Sequence, residues 1–333
     1  MVVIESYGIA VMMCVVTMLC WGSWANTQKL ASKEWKFQLF YWDYAIGVFI
    51  LSLILAFTMG STGTKGANFL SNASQAVPKT IMLALIGGIV FNISNILLVG
   101  AIDIAGLAVA FPVGVGLALV IGVIQNYIAS PVGNAAMLFI GVAGVAIAII
   151  IDGLAYKKLS GAGQKTATKG IILSVLAGVL MGLFYRFVAA SMSKDFINIE
   201  AGMFTPYSAV VFFSLGVLLS NFVWNTIVMY KPFSGEPVKY SDYFKGNTKL
   251  HLIGILGGII WNIGMSFSII ASGQAGFAIS YGLGQGATLV AAIWGVFIWR
   301  EFKEAPKGTN KLLATMFVFY IVGLALIILA KTV

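Results

Sequence analysis

The chain is a succession of long apolar segments separated by short polar connections. A transmembrane helix needs about 20 predominantly apolar residues, and ten segments reach that length. The predicted spans are residues 5–31, 37–59, 79–101, 104–128, 134–156, 168–192, 203–229, 249–271, 274–299 and 310–331. The pattern predicts an all-α polytopic membrane protein with ten transmembrane helices. We interpret the first apolar segment as a span and not as a cleaved signal peptide.

The composition supports this class and excludes others. Hydrophobic residues make up 60% of the 333 residues and charged residues only 9%, whereas soluble domains contain about 25% charged residues. Such a chain cannot cover a water-facing surface, which excludes a soluble enzyme, a nucleic-acid-binding protein and a disordered protein. Its two cysteines, Cys14 and Cys20, have neither the number for a disulfide framework nor the spacing of metal ligands. We expect no metal site and no cofactor.

Basic residues are distributed unevenly between the two sides of the predicted bundle. Fifteen of the 20 Lys and Arg residues lie in or beside the connections that follow odd-numbered spans, and four lie on the opposite side. Because basic residues concentrate on the cytoplasmic side of membrane proteins, we expect these connections to face the cytoplasm and both termini to face outward. We expect a location in the inner or plasma membrane, in contact with lipid and not with nucleic acid.

An internal repeat occurs at a constant offset of 170 residues. The segment GGIVFNI at 87–93 returns as GGIIWNI at 257–263, and 13 of the 34 positions in 87–120 are identical to their counterparts without a gap. Spans 3 and 4 thereby match spans 8 and 9, so the repeated unit contains five helices. Because five is an odd number, the second unit begins on the opposite side of the membrane.

The repeat therefore predicts two inverted five-helix halves, residues 1–156 and 168–333, joined by a cytoplasmic linker at 157–167. Inverted repeats with a binding site at their interface are typical of secondary transporters, in which one half rocks against the other. This symmetry favours a carrier over other kinds of membrane protein. We expect a monomer to be functional.

Two parts of the sequence resemble known transporter families. The segment AGLAVAFPVGVGLALVIGVIQNYIASPVGNAAMLFIGV at 105–142, together with YWDY at 41–44, is similar to the ureide permease family. The opening WGSWANTQKL at 21–30 is similar to bacterial porters of the glucose and ribose type. Both belong to the drug/metabolite transporter superfamily of ten-helix inverted repeats. The resemblance covers nearly the whole chain and is strongest over spans 1 to 5.

The resemblance implies proton-coupled movement of a small polar metabolite. The cargo is a ureide, nucleobase or related heterocycle in one branch and a monosaccharide in the other. Plant ureide permeases carry a longer central loop with a Walker-like sequence. Here GAGQKT at 161–166 has Gln164 where a phosphate-binding loop needs a glycine before the lysine, so we expect no nucleotide binding.

Three ionisable residues are candidates for chemistry, because a charge at the bilayer centre costs about 2.5–3.5 kcal/mol on insertion scales. Arg186 in span 6 is either part of a structural ion pair, for instance with Glu5, or a donor to substrate oxygens. Asp43, flanked by aromatic residues at the start of span 2, is either a proton carrier or an interfacial acid favoured by the helix dipole. Glu5 is the second candidate proton carrier. Its alternative role is that of a surface residue whose side chain only reaches water.

Three other titratable residues receive structural interpretations. Asp103 and Asp152 lie at cytoplasmic helix ends, where caps and turns are expected. His251, the only histidine, lies at the cytoplasmic edge of span 8. We interpret it as an interfacial residue and not as a proton relay.

Buried amides form a second group of candidates. Asn92 and Asn262 are counterparts in the repeat near the middle of spans 3 and 8, preceded by Phe91 and Trp261. An asparagine at that depth either hydrogen-bonds a neighbouring helix or faces a wet cavity. Asn95 lies close to the face of Asn92. Amide donors and acceptors suit an uncharged ligand rich in C=O and N–H groups.

The repeat also pairs two glycine-rich segments, FPVGVG at 111–116 and YGLGQG at 281–286. Irregular segments at matching positions of two halves are good indicators of a carrier's binding site, although close helix packing also explains the glycines. The second segment adds polar groups, because Tyr281 and Gln285 replace Phe111 and Val115. We expect the binding site here.

Two tryptophans on span 1 complete the candidate site. Trp21 and Trp24 are three residues apart, so they share a helix face. Their rings could stack on a planar heterocycle or on the face of a sugar.

These features together predict a secondary active transporter that works by alternating access. The preferred cargo is a ureide, nucleobase or nucleoside taken up with protons carried by Asp43 or Glu5, and the alternative is a monosaccharide. A channel is a remote alternative, and the absence of paired-carboxylate, HExxH and nucleophile-elbow motifs argues against an enzyme. The predicted substrate contacts are Trp21, Trp24, Asn92, Asn95, Phe111, Arg186, Asn262, Tyr281 and Gln285.

Overall fold

The computed structural model describes residues 1–31, 34–105, 107–160, 168–233 and 235–332. These residues form ten helices that are long and apolar enough to cross a membrane, and they contain no β-strand. The ten are α1 (Tyr7–Ala31), α2 (Phe37–Thr62), α3 (Pro78–Ala105), α4 (Ala110–Ala129), α5 (Ala135–Leu159), α6 (Thr168–Ala190), α7 (Pro206–Tyr230), α8 (Thr248–Ala275), α9 (Phe277–Ile298) and α10 (Thr309–Leu329). The predicted fold class and number of spans are confirmed.

The two glycine-rich segments behave differently. In α9 the α-helix ends at Gly284 and resumes at Ala287, so that Gln285 lies in the break. The flanking glycines favour this break, because glycine is a poor helix former. In α4 the helix continues through Pro112. A break in the helix was expected in both segments. It is found in α9 of the second half, whereas α4 of the first half remains helical at Pro112.

Contacts in one half of the chain are repeated in the other. α3 and α8 both contain 28 residues, and each end of α8 lies 170 residues after the matching end of α3. α3 packs on α6 and α7, whereas α8 packs on α1 and α2. Since α1 to α5 correspond to α6 to α10, exchanging the halves converts one set of contacts into the other. This arrangement is consistent with two inverted five-helix repeats.

Matched glycines allow these helices to approach closely. Gly88 on α3 faces the carbonyl oxygen of Phe213 on α7, and Gly258 on α8 faces the carbonyl oxygen of Tyr44 on α2. A side-chain carbon at either position would collide with the facing backbone. Small residues at helix contacts are a common means of association in membranes, where the surrounding lipid is as apolar as the side chains.

Replacing Gly258 with alanine is expected to lower the melting temperature of the detergent-solubilised protein, because the new methyl group would press on α2. Overpacking of this kind costs about 1–3 kcal/mol. Gly116→Ala on α4 is the matched control, since a Cβ there would meet only Ile149, at 3.9 Å. Equal melting temperatures for both variants and the wild type would contradict the packing role of Gly258.

The basic connections gather at one end of the bundle, which we call the basic end. It includes Lys157 and Lys158 on the last turn of the helix that contains α5, and the connections that follow α7 and α9. Lys33, Lys165 and the GAGQKT segment at 161–166 lie outside the described residues, as does most of the linker predicted at 157–167. The assignment of this end to the cytoplasm, and the division into halves 1–156 and 168–333, stay predictions.

Candidate substrate-binding cavity

A cavity of about 250 Å³ lies between the two halves of the bundle, and we call it the aromatic cavity. Its volume is close to the lower end of the range of about 300–1,000 Å³ found for ligand pockets. Six aromatic side chains line it: Trp21, Trp24, Phe91, Phe111, Phe184 and Trp261. Its polar lining consists of Gln28, Asn95, Gln285 and Thr288. Among the described residues that line it, none has an ionisable side chain.

The aromatic walls are held by contacts between α1, α3 and α8. The rings of Trp21 and Trp261 stack, with centroids 5.8 Å apart and planes inclined by 16°. The indole nitrogen of Trp21 also donates to the carbonyl oxygen of Trp261 at 3.1 Å. Phe91 and Trp261 are counterparts in the repeat, and their ring centroids are 4.3 Å apart. The cavity therefore lies where the two halves meet, as expected for a carrier with inverted repeats.

Amide groups complete the lining. Gln285 is placed at the wall by the break in α9, is 8% exposed, and makes no side-chain hydrogen bond with any described residue. Asn95 on α3 is also buried and donates from Nδ2 to the hydroxyl of Tyr41 on α2, at 3.1 Å. A buried amide without a partner is costly. Gln285 is thus the polar group of the aromatic cavity with the most capacity to bind a ligand.

Tyr281 is buried outside the lining of the aromatic cavity. Its hydroxyl lies within hydrogen-bonding distance of the carbonyl oxygens of Ala118 on α4 and Met181 on α6, at 3.2 and 3.1 Å. The neighbouring Tyr185 hydroxyl contacts the hydroxyls of Ser268 and Ser280 at 3.1 and 3.3 Å. The contact between Tyr281 and Ala118 joins the two halves, whereas the others connect α6, α8 and α9 within the second half. Tyr281 therefore packs between helices outside the aromatic cavity, and substrate contact by its side chain stays a prediction.

The repeat-matched asparagines contact other helices. Asn92 Nδ2 donates to the hydroxyl of Ser220 on α7 at 2.9 Å, and Asn262 Nδ2 donates to the carbonyl oxygen of Val48 on α2 at 2.7 Å. Both side chains are fully buried, and neither is part of the cavity lining. This geometry favours the helix-packing alternative that the sequence left open.

Arg186 and Glu5 are also separated from the cavity. Arg186 is half-buried on α6 and does not belong to the lining. Glu5 is exposed at the end opposite the basic end, where its carboxylate pairs with Lys65 at 2.6 Å. The suggested ion pair between Arg186 and Glu5 is therefore replaced by one between Glu5 and Lys65.

Asp43 belongs to a buried polar cluster near the basic end. Its carboxylate accepts a hydrogen bond from Tyr243 at 2.6 Å and lies 2.9 Å from Nδ1 of His251. Burial, followed by the hydrogen bond to Asp43 and its negative charge, raises the pKa of Tyr243, which keeps that hydroxyl a donor. The sequence interpreted His251 as interfacial, whereas the structure makes it the partner of a carboxylate 208 positions away. Asp43 does not line the aromatic cavity.

A second cavity of about 260 Å³, which we call the vestibule, continues from the aromatic cavity toward the basic end. The two cavities share lining residues Gly22, Ala25, Phe111 and Ala291. Unlike the aromatic cavity, the vestibule includes charged side chains in its lining, and its charged and polar members are Asn26, Lys29, Asp152, Tyr156 and Glu301. Asp152 was interpreted from the sequence as a cap or turn residue, and the structure places it at this wall instead.

The cavity also contains residues that the sequence reasoning did not select. Phe91 and Trp261 were noted as neighbours of the asparagines, yet they and not the asparagines reach the lining. Their matched aromatic positions in the repeat were the available signal. Phe184 and Thr288 carried no comparable signal, because single aromatic and hydroxyl residues are common in apolar helices.

Comparison with known proteins agrees with this architecture. A family model described as Ureide permease matches residues 40–166 and 157–330. Ureide permease 1 of Arabidopsis thaliana is 23% identical over 384 aligned positions that cover 98% of each chain. The glucose uptake protein GlcU of Bacillus subtilis (strain 168) is 25% identical over 234 positions, covering 68% of this chain and 71% of its own.

A solved crystal structure has the same fold. It superposes with a TM-score of 0.62 at 17% sequence identity, and the superposition covers 98% of this chain and 99% of the other. At this identity the similarity concerns the fold alone. The family match over most of the chain decides the assignment: this multi-pass membrane protein belongs to the ureide permease family of transporters.

Proposed function

We propose that the protein carries a small, uncharged, planar metabolite with several amide groups, namely a ureide, a nucleobase or a nucleoside. The observation that carries this proposal is the aromatic cavity, which offers stacked rings and the free amide of Gln285 but no ionisable side chain among its described lining residues. The name of the Arabidopsis relative, Ureide permease 1, supports the same class of cargo.

The chemistry of the lining explains the preference for a neutral molecule. A charged cargo would lose its hydration in this cavity and would need an opposite charge close by. An amide side chain has both a donor and an acceptor, so it can pair with adjacent C=O and N–H groups of a ureide or base. Stacking on an aromatic ring contributes about 1–3 kcal/mol per base in nucleic-acid-binding proteins, and Trp21 and Trp261 present suitable rings.

A monosaccharide is the second candidate, favoured by the similarity to the glucose uptake protein GlcU. Indole rings also pack on the apolar face of a sugar, and Asn95 and Gln285 could bind its hydroxyl groups. A sugar does not use the planar stacking surface fully, so we rank it below the heterocycles.

The different positions of two matched residues support the proposal of alternating access. Phe111 lines both cavities on the side of the basic end, whereas its counterpart Tyr281 contacts Ala118 of the first half on the opposite side. Rocking of the halves would separate the contacts of Tyr281 and bring the Phe111 segment onto α1. In this proposal the present conformation opens to the cytoplasm, and protons move together with the cargo.

A thermal-shift measurement tests the cargo class. Purified protein in detergent is heated with millimolar allantoin, uracil, xanthine, a nucleoside, rhamnose, ribose or glucose. A ligand at 100 times its Kd stabilises the protein by about 2.7 kcal/mol, so a higher melting temperature is expected with one or more of the ureides, bases or nucleosides. Stabilisation by sugars alone would instead assign the protein to the monosaccharide alternative.

A further inference from the structure

A buried carboxylate without a partner lines the vestibule. Asp152 on α5 is 7% exposed, and its Oδ1 is buried without a hydrogen bond from any described residue. A carboxylate at such a position in a membrane protein is strongly disfavoured unless it binds a proton or a cation. Asp152 therefore needs a bound proton or cation of its own.

The other acid of the vestibule is fully paired. Glu301 accepts a hydrogen bond from Tyr156 at 2.7 Å and forms an ion pair with Lys29 at 3.0 Å. The ammonium group of Lys29 also lies 4.1 Å from the centroid of the Trp299 ring. The ammonium group of Lys29 therefore neutralises Glu301 and not Asp152.

Among the described residues, no cation forms an ion pair with Asp152, and Lys29, which lines the same vestibule, pairs with Glu301. The titratable groups that interact with it are Glu301, Tyr156 of its own helix and Tyr320 of α10. All three side chains are acids, which are neutral when protonated and negative when deprotonated, so none of them can compensate the charge of Asp152. A proton is thus the simplest cation that can compensate the charge of Asp152.

The position of Asp152 also lies on the path of the cargo. The vestibule joins the aromatic cavity at Phe111 and Ala291, so a molecule that leaves toward the basic end passes the wall that contains Asp152. Water reaches the same wall, because the side chains of Lys29 and Glu301 are 48% and 31% exposed.

We propose that Asp152 is the carboxyl group that binds the coupled proton, an inference that rests on the proposed transport function. In the conformation open to the opposite end, the carboxylate of Asp152 binds a proton from that side and forms an O–H bond. Protonation leaves no uncompensated charge at Asp152 inside the closed vestibule, so the loaded protein can change to the conformation that is open to the basic end. When the vestibule opens, the O–H bond breaks and the proton leaves through water toward the basic end.

The test uses Asp152→Asn, which keeps the shape of the protonated carboxyl group but cannot release a proton. The wild type and the variant are reconstituted in liposomes and assayed with radiolabelled uracil and allantoin. Counterflow measures exchange without a gradient, and accumulation is measured under an imposed pH gradient. We expect the variant to retain counterflow and to lose gradient-driven accumulation. Asp195→Asn, the same change at an exposed connection, is the control and should retain both.

Each other outcome is informative. Accumulation by Asp152→Asn at the wild-type level overturns the assignment, as does loss of counterflow in a folded variant, because exchange needs no proton release. If Asp43→Asn or Glu5→Gln loses accumulation and Asp152→Asn does not, the coupled proton binds at Asp43 or Glu5, respectively, and not at Asp152. A wild type without counterflow of any tested cargo contradicts the proposed function itself, and counterflow without any response to the gradient contradicts proton coupling.

Discussion

Replacing Gln285 with alanine is expected to weaken binding of the best ligand from the thermal-shift panel by 10- to 100-fold, which corresponds to about 1.4–2.8 kcal/mol. The side-chain amide lines the aromatic cavity and makes no hydrogen bond with a described residue. The variant therefore loses one or two hydrogen bonds to the cargo, each worth about 0.5–1.5 kcal/mol. Quenching of tryptophan fluorescence by the ligand gives the Kd, since three tryptophans line the cavity.

The same variant should keep most of the wild-type stability, because it removes no hydrogen bond between the amide and a described residue. Gln38→Ala provides the matched control, since Gln38 is a half-buried glutamine on α2 that does not line the aromatic cavity. Unchanged affinity in Gln285→Ala would show that the cargo binds elsewhere. Equal weakening in Gln38→Ala would point to a general effect on the bundle.

Replacing Asp43 with alanine is expected to lower the free energy of unfolding by about 2 kcal/mol, because two partners lose the carboxylate that they contact and an unsatisfied buried polar group costs about 1–3 kcal/mol. The carboxylate is almost completely buried between α2, α8 and the short helix Tyr240–Tyr243. Its removal leaves the hydroxyl of Tyr243 and Nδ1 of His251 without their partner. The melting temperature in detergent measures this loss.

The control for this prediction is Asp242→Ala at the same end of the bundle. Asp242 is close to His251 in sequence and forms an exposed ion pair with Lys245 at 2.8 Å, which is screened by water. Asp242 also accepts a hydrogen bond from the backbone N–H of Lys239 at 2.9 Å, so its loss should cost about 1 kcal/mol, less than the loss of Asp43. If Asp43→Ala and the wild type have the same melting temperature, the cluster does not stabilise the fold.

The candidate site shows which residues a repeat can and cannot identify. The offset of 170 residues correctly drew attention to spans 3, 4, 8 and 9, all of which contribute to the cavity. Trp21, Trp24, Asn95, Phe111 and Gln285 were selected from the sequence and line it. Asn92 and Asn262 were selected for the same reason and instead join helices. A polar residue at mid-depth must find a partner, but the sequence does not say whether that partner is a helix or a ligand.

Asp152 illustrates the opposite failure. Its position near a helix end suggested a cap or a turn, and its sequence neighbours gave no reason to expect a cavity. The vestibule arises because α1, α4, α5, α9 and the segment after α9 converge there. The ion pair that distinguishes Glu301 from Asp152 joins residues 272 positions apart.

The sequence alone determined the class, the ten spans, the repeat and the family, because these depend on segment length, composition and order along the chain. The tertiary structure decided which side of each helix faces the cavity. Lipid is as apolar as the interior of the bundle, so most of these helices are apolar on every side and lack the polar stripe that orients a helix in a soluble protein. Inward-facing positions are therefore set by packing between distant helices, as at Asp43 and His251, and not by periodicity.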